Sequence, residues 1–386
     1  MSNDGANMNI RNQDNNCTRT RIPVLRPSLP DANRLLPYLR RIDQNRVYSN
    51  FGPLSLELGQ RLADRFQVNA EKVVCANSGT TALATAILAI TGRATSRRPL
   101  AIVPSFTFAA TALAAEICGF EVIFSDVSAE SWGLEADKLA SFPNLDRVGV
   151  VVPVAPFGRP VEQNAWRNFQ ETTGVPVVID AAACFETVAH SPHKYMGRIP
   201  VAMSFHATKS FSCGEGGCVV VDNEELANRV TQCLNFGFFR ARECEYPSMN
   251  GKMSEYHAAV GLAELDHWTE KATAMNRVSQ IYRENFSRRG IGHKLVSAPE
   301  ICSSYVLFVS TTETEAISIQ SNLESSSIGF RHWYGALHRQ KYFSREPAQN
   351  LPVSENLSKR ILGLPVAPDL DRDSISFVCE TMDTGT

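Results

Sequence analysis

Ser204-Phe-His-Ala-Thr-Lys-Ser-Phe-Ser-Cys-Gly-Glu-Gly-Gly217 lies between two apolar runs, residues 200–203 and 218–221. Both runs have the length and bounding residues of buried strands, so Lys209 is predicted to sit in a loop held between two strands. A lone lysine is ordinarily a snorkelling side chain with its ammonium in water. This loop is built otherwise. Gly214, Gly216 and Gly217 permit close or positive-φ backbone approaches, and Ser204, Thr208 and Ser210 set short hydrogen-bonding groups around one amine. A desolvated lysine loses its proton more easily and can form a Schiff base with a carbonyl, which points to a lysine that carries pyridoxal phosphate.

Outward from this loop, apolar runs alternate with helical patterns over residues 73–235. Strands are expected at 73–75, 100–103, 121–124, 147–154 and 176–179, the valine-dominated fourth having the pattern of a strand covered on both faces. Strand and helix alternating in this way predict an α/β sheet, mostly parallel, whose ligands gather at the carboxyl ends of the strands. Ser78, Phe108, Asp180 and Lys209 all fall at such ends. Asn77-Ser-Gly-Thr-Thr81 leads into an alanine-rich helix over 82–90, an arrangement that offers free backbone N–H groups and a positive helix end to an anion, or that serves simply as a Ser/Thr cap.

Residues 1–21 are rich in Asn, Asp, Thr and Arg and are expected to form a disordered tail rather than a signal peptide. Residues 22–265 are expected to form a large domain with an N-terminal arm, and 266–386 a smaller C-terminal α+β domain. Helices are predicted at 35–42, from 53 through Phe66, at 223–235 and at 256–268. Regularity is weaker afterwards, with segments near 275–290 and 315–325 placed around a strand at 305–310. The run Phe330-Arg-His-Trp-Tyr-Gly-Ala-Leu-His338 either lines a pocket or covers an interdomain seam.

The chain has 386 residues, of which 44% are apolar and 20% charged, with 38 Lys+Arg against 40 Asp+Glu. That balance and the lack of basic runs argue against nucleic acid, and no apolar stretch approaches a membrane span. Ten cysteines lie mostly inside apolar runs without a Cys-x-x-Cys pair, so they read as core residues of a reducing compartment, and a cytoplasmic location is expected. Gly214-Glu-Gly-Gly217 does not continue as a dinucleotide fingerprint, which argues against a nicotinamide dehydrogenase.

Pyridoxal phosphate asks five things of a protein, and each has a candidate here. Lys209 can hold the aldehyde and move protons, Asp180 can keep the pyridine nitrogen protonated, and Phe108 can stack on the ring. The amides of Gly79 and Thr80, with Ser204 beside them, can take the phosphate, and glycine-rich packing with a second subunit can exclude water.

On Asn50-Phe-Gly-Pro53, Asn77-Ser-Gly-Thr80, Pro104-Ser-Phe-Thr-Phe108, Asp180-Ala-Ala182, Ser204-x-x-x-x-Lys209 with Gly214-Glu-Gly-Gly217, and Asn250-Gly-Lys-Met-Ser-Glu255, the sequence resembles the DegT/DnrJ/EryC1/StrS sugar aminotransferases, pyridoxal-phosphate enzymes of fold type I. The resemblance implies Lys209 as the Schiff-base lysine, Asp180 on the pyridine nitrogen, Phe108 on the ring face, and Gly79, Thr80 and Ser204 around the phosphate. It further implies a homodimer in which Asn250 reaches the phosphate of the neighbouring subunit's cofactor. The implied reaction moves an amino group from an amino acid, L-glutamate, to a nucleotide-linked keto-6-deoxysugar, C4 preferred over C3. Such sugars feed surface polysaccharide or glycosylated metabolites. Ala183 departs from the family pattern, which has Gln or His there, and so weakens any transfer of substrate preference. The family's sugar dehydratases are the nearest alternative and lack the lysine retained here. A pyridoxal-binding sensor without turnover is a second, which amine transfer from glutamate would exclude.

Overall fold

Valine-rich runs without polar alternation need cover on both faces, and the computed structural model, which describes residues 21–344 and 349–382, supplies it. The elements begin with α1 (Ala32–Asn45), α2 (Pro53–Phe66), β1 (Val73–Ala76), α3 (Gly79–Thr91), β2 (Leu100–Pro104), α4 (Ala109–Ile117), β3 (Glu121–Ser125), α5 (Ala136–Leu139) and β4 (Val148–Val151). They continue with α6 (Gln163–Thr173), β5 (Ile179–Asp180), α7 (Phe185–His190), β6 (Val201–Ser204), β7 (Gly217–Val220), α8 (Glu224–Leu234) and α9 (Glu255–Asp266). The remainder comprises α10 (Trp268–Arg288), β8 (Leu295–Val296), β9 (Leu307–Val309), α11 (Glu313–Ser325), α12 (Pro352–Arg360), β10 (Ile361–Gly363) and α13 (Arg372–Thr381).

Strands β3-β2-β4 and β1-β7-β6-β5 adjoin through parallel bridges Val151–Val177 and Val154–Asp180, which gives the order β3-β2-β4-β5-β6-β7-β1. Neighbours are parallel except where β7 runs antiparallel to both β1 and β6. The expected mostly parallel sheet is therefore present, and the lysine loop is the connection of its one antiparallel hairpin. Side chains alternate between two cores: Val73, Cys75, Ile102 and Met203 face one, Val74, Ala76, Val103 and Ala202 the other. A third core joins α10, α11 and α13 to the antiparallel sheet β10-β9-β8.

Several elements differ from expectation. Helix α1 runs well beyond 35–42, because the Asp31 carboxylate accepts hydrogen bonds from the amides of Asn33 and Arg34 and so caps it early. The segment expected to be weakly helical near 275–290 is the 21-residue α10, whose polar first turns masked the apolar face of Met275, Val278, Ile281, Tyr282 and Phe286. The strand expected over 147–154 is regular only to Val151, since Pro153 has no N–H to give to the ladder. Regular pairing in the strand expected at 176–179 is confined to Ile179 and Asp180. The expected tail lies outside the described residues apart from Arg21. The arm pairs with the C-terminal part of the chain, through Ile22–Ile328 and Leu25–Val366. No helix among the described residues is long and apolar enough to cross a membrane.

Two of the sequence motifs meet at a buried carboxylate. Glu255, 1% exposed, accepts from the backbone N–H of Leu54 and of Ser55, both at 2.8 Å, and so caps α2 from another helix. A Cβ at Gly52 would stand 2.6 Å from the Glu255 Cδ, so only glycine admits the carboxylate there. Replacing Glu255 by Ala should cost about 2–4 kcal/mol by urea denaturation, because losing the cap leaves two buried amides orphaned, while Glu255→Gln should cost less.

Candidate functional site

The hairpin register pairs Ser204 with Gly217, and the intervening loop closes on itself through Phe205 N to Gly216 O at 2.8 Å and Ala207 N to Gly214 O at 2.8 Å. Gly214 has φ of +81°, a conformation that excludes ordinary side chains. A Cβ on Gly217 would lie 2.5 Å from the Met203 carbonyl and 2.9 Å from the backbone of Gly79. The loop is thereby pressed against the start of α3. Lys209 projects from it into the protein and donates from Nζ to the hydroxyl of Tyr305 at 3.2 Å.

The first turn of α3 forms one end of the same space. Ser78 caps it by accepting from Thr81 N at 3.1 Å, and the first internal bond is Ala82 N to Ser78 O. The amides of Gly79 and Thr80 thus precede any bond of the helix and are available to an anion. Ser204 lies alongside, since a Cβ on Gly79 would come within 2.5 Å of the Ser204 Cβ.

Asp180 closes β5 and is 7% exposed. Its carboxylate accepts from Thr111 Oγ1 at 2.7 Å and from Ala182 N at 3.0 Å. Burial raises its pKa above the ordinary carboxylate range, while the Thr111 hydroxyl, the Ala182 amide and the charge of Lys209 pull it down. Thr111 stands in the first turn of α4, just after Phe108, a residue that is 65% exposed and borders the cavity.

The far wall comes from the C-terminal part of the chain. Tyr305 and residues 331–334 border the cavity, the Phe157 ring stacking on Tyr334 at 4.6 Å and the Tyr305 ring meeting Trp333 edge-on at 5.3 Å. The aromatic run is tethered where Ser105 Oγ hydrogen-bonds His338 Nδ1 at 2.6 Å, His338 Nε2 in turn meeting Glu355 at 3.0 Å. Of the two roles open to residues 330–338, its first half lines the pocket.

Together these elements enclose about 580 Å³. Gly79, Thr80, Phe108, Asp180, Ser204 and Lys209 all border it, as does Ala183. Asn250 does not. It lies exposed, its side chain accepting from Lys252 Nζ at 2.8 Å and its carbonyl from Asn77 Nδ2 at 3.3 Å. Thr111 and Tyr305 escape a reading of the sequence: a threonine in an alanine-rich helix and a tyrosine beside a short strand carry no motif. His206 and Glu215 also border the cavity, 3.7 Å apart, inside the lysine loop itself. Pyridoxal phosphate fits this donor set, with helix amides unpaired among the described residues for an anion, a buried carboxylate for a cationic ring nitrogen, an amine and flanking aromatic rings. The Nδ1 of His332, buried without a hydrogen-bond partner among the described residues, adds a polar atom for a ligand to satisfy.

A model of the DegT/DnrJ/EryC1/StrS aminotransferase family matches residues 31–383. The chain is 26% identical to a dTDP-4-amino-4,6-dideoxy-D-glucose transaminase of Shigella dysenteriae, over 93% of this chain and 97% of that protein. Among solved structures, a protein of Bacillus cereus ATCC 10987 assigned as a PLP-dependent aminotransferase superposes with a TM-score of 0.84 at 28% identity, covering 94% of this chain and 100% of that one. DesI, solved in the presence of its TDP-sugar product, superposes at 0.81 with 27% identity, covering 94% and 92%.

Because its pKa is raised in the folded state, ionised Asp180 destabilises the protein without ligand, and stability should fall as pH rises from the ordinary carboxylate value through the raised one. Asp180→Asn should therefore melt about 1–4 °C above the ligand-free parent at neutral pH and lose that advantage in acid, as calorimetry across pH can read.

Proposed function

The chain belongs to the DegT/DnrJ/EryC1/StrS aminotransferase family, and from that premise we propose that it moves an amino group from L-glutamate to the keto carbon of a nucleotide-linked 6-deoxysugar, at C4 in preference to C3. The products are 2-oxoglutarate and the amino sugar. The observation that carries this reading is one cavity uniting an amine on Lys209, a buried carboxylate on Asp180 and the free amides that open α3. The Shigella relative and DesI, whose names or ligands specify nucleotide-linked sugars, support the substrate class.

Pyridoxal phosphate, once bound, supplies a conjugated ring that accepts the electron pair released when a proton leaves Cα. The amides of Gly79 and Thr80 and the hydroxyl of Ser204 would take the phosphate, favoured by the helix dipole. Asp180, as a carboxylate, would pair with the cationic ring nitrogen, and that pairing would offset the burial that otherwise disfavours its charge. Phe108 would cover a ring face, while Tyr305, Trp333 and Tyr334 would exclude water. Lys209 Nζ would hold the cofactor and, once free, would serve as the base and acid that takes up the substrate's Cα proton and gives it back. The same nitrogen would serve as base and acid toward the sugar.

Purified protein should show a visible cofactor band that L-glutamate abolishes, and the glutamate-treated form should aminate a nucleotide-linked 4-keto-6-deoxysugar. Lys209→Ala should lower turnover by at least about 10³-fold while still binding cofactor. Amination by that variant at the parental rate would exclude the assignment.

The exposure of Asn250 and of Phe108 supports a homodimer in which Asn250 serves the partner's site. Co-expressing Lys209→Ala and Asn250→Ala chains should yield heterodimers with about half the parental activity, since one of the two shared sites is then intact. Heterodimers no more active than the Asn250→Ala homodimer would place Asn250 in its own subunit's chemistry.

A further inference from the structure

Lys209 must change protonation state without losing its place, and the structure gives its amine a partner suited to that. Nζ lies 3.2 Å from the Tyr305 hydroxyl but 6.0 Å from the ring centroid, so the contact is with the hydroxyl and not with the ring face. The ring is 5% exposed and held edge-on by Phe157 and by Trp333, each at 5.3 Å. Its backbone is equally constrained. Tyr305 N bonds Cys302 O at 3.0 Å, and Cys302 N bonds Phe157 O at 2.9 Å. Glu186 on α7 accepts from Ser303 N at 2.9 Å and from Ser303 Oγ at 2.5 Å. The chain segment that follows Asp180 thus also sets where Tyr305 stands.

We propose that Tyr305 is a positioning residue for the transfer, its hydroxyl holding the Lys209 amine in place whenever that amine is released. The inference rests on the reading of Lys209 given above. Burial pushes the phenol well above its ordinary range, so the hydroxyl keeps its proton at working pH. A neutral phenol accepts from an ammonium and donates to a free amine. Nζ therefore keeps one partner in both protonation states, and the proton can be taken up or handed on without the side chain swinging away. A donor-only indole at this point would serve the free amine alone.

The variant Tyr305→Phe keeps the ring and removes the hydroxyl. Two readouts separate positioning from mere packing. In ligand-free enzyme mixed with pyridoxal phosphate in a stopped-flow cell, the rate of cofactor capture should fall about tenfold. In single turnover with L-glutamate, the maximal rate should fall about 10- to 100-fold while the half-saturating glutamate concentration changes less than about twofold. Parental rates for both in a folded Tyr305→Phe protein would overturn the proposal. Should that variant fail to fold, 3-fluorotyrosine at position 305 preserves shape and hydroxyl while weakening the acceptor; both rates should then fall about two- to fivefold, and unchanged rates would overturn the proposal equally. Parental enzyme that captures no cofactor, or ignores glutamate, would instead remove the transaminase reading on which this one stands.

Discussion

The approach of one backbone to another at Gly79 and Gly217 is the constraint on which the site depends. A side chain on either glycine would collide with the other strand or helix, at 2.5 Å from Ser204 or from the Met203 carbonyl. With no Cβ at these two points, the start of α3 lies directly against the end of the β6–β7 hairpin. A helix start with free amides and a lysine loop are thereby brought to one edge of the sheet, although more than a hundred residues separate them in the chain. The antiparallel placement of β7 serves the same end, because a hairpin returns the loop to the edge it left.

The remaining parts of the site are held by interactions that cost stability locally. Asp180 is buried with Thr111 and Ala182 N as its donors among the described residues, and desolvation works against its charge. A cationic ligand atom next to it would relieve that cost, so binding and electrostatics favour each other. The aromatic wall is supplied by the C-terminal chain and pinned to the sheet through Ser105, His338 and Glu355. A second clamp lies beyond β3, where Asp126 accepts from the amides of Val353 and Ser354 at the start of α12. The smaller sheet and its helices are therefore fastened to the large one by caps, not by apolar contact alone.

Much of the molecule was legible in the order of its residues. Unbroken apolar runs alternating with helical periodicity identify a two-face-covered parallel sheet, and small polar residues after the runs identify its ligand edge. Residues that must adopt a special backbone or sit at a strand end, such as Gly79, Gly214, Ser204 and Lys209, leave local signatures. Helix α10 is weakly marked in the sequence because its polar first turns hide the apolar face that packing on α13 and β9 defines.

The sequence by itself determined the sheet, the lysine loop, the capped start of α3 and the carboxylate at the end of β5, because turn chemistry and periodicity are properties of a few consecutive residues. Tertiary structure alone decided that Thr111 would serve Asp180, that Tyr305 would meet Lys209 across 96 positions, and that Glu255 would cap α2 from 200 positions away. Those pairings depend on which surfaces meet when the two sides of the sheet are covered, and no local pattern of residue types encodes a distance between segments so far apart.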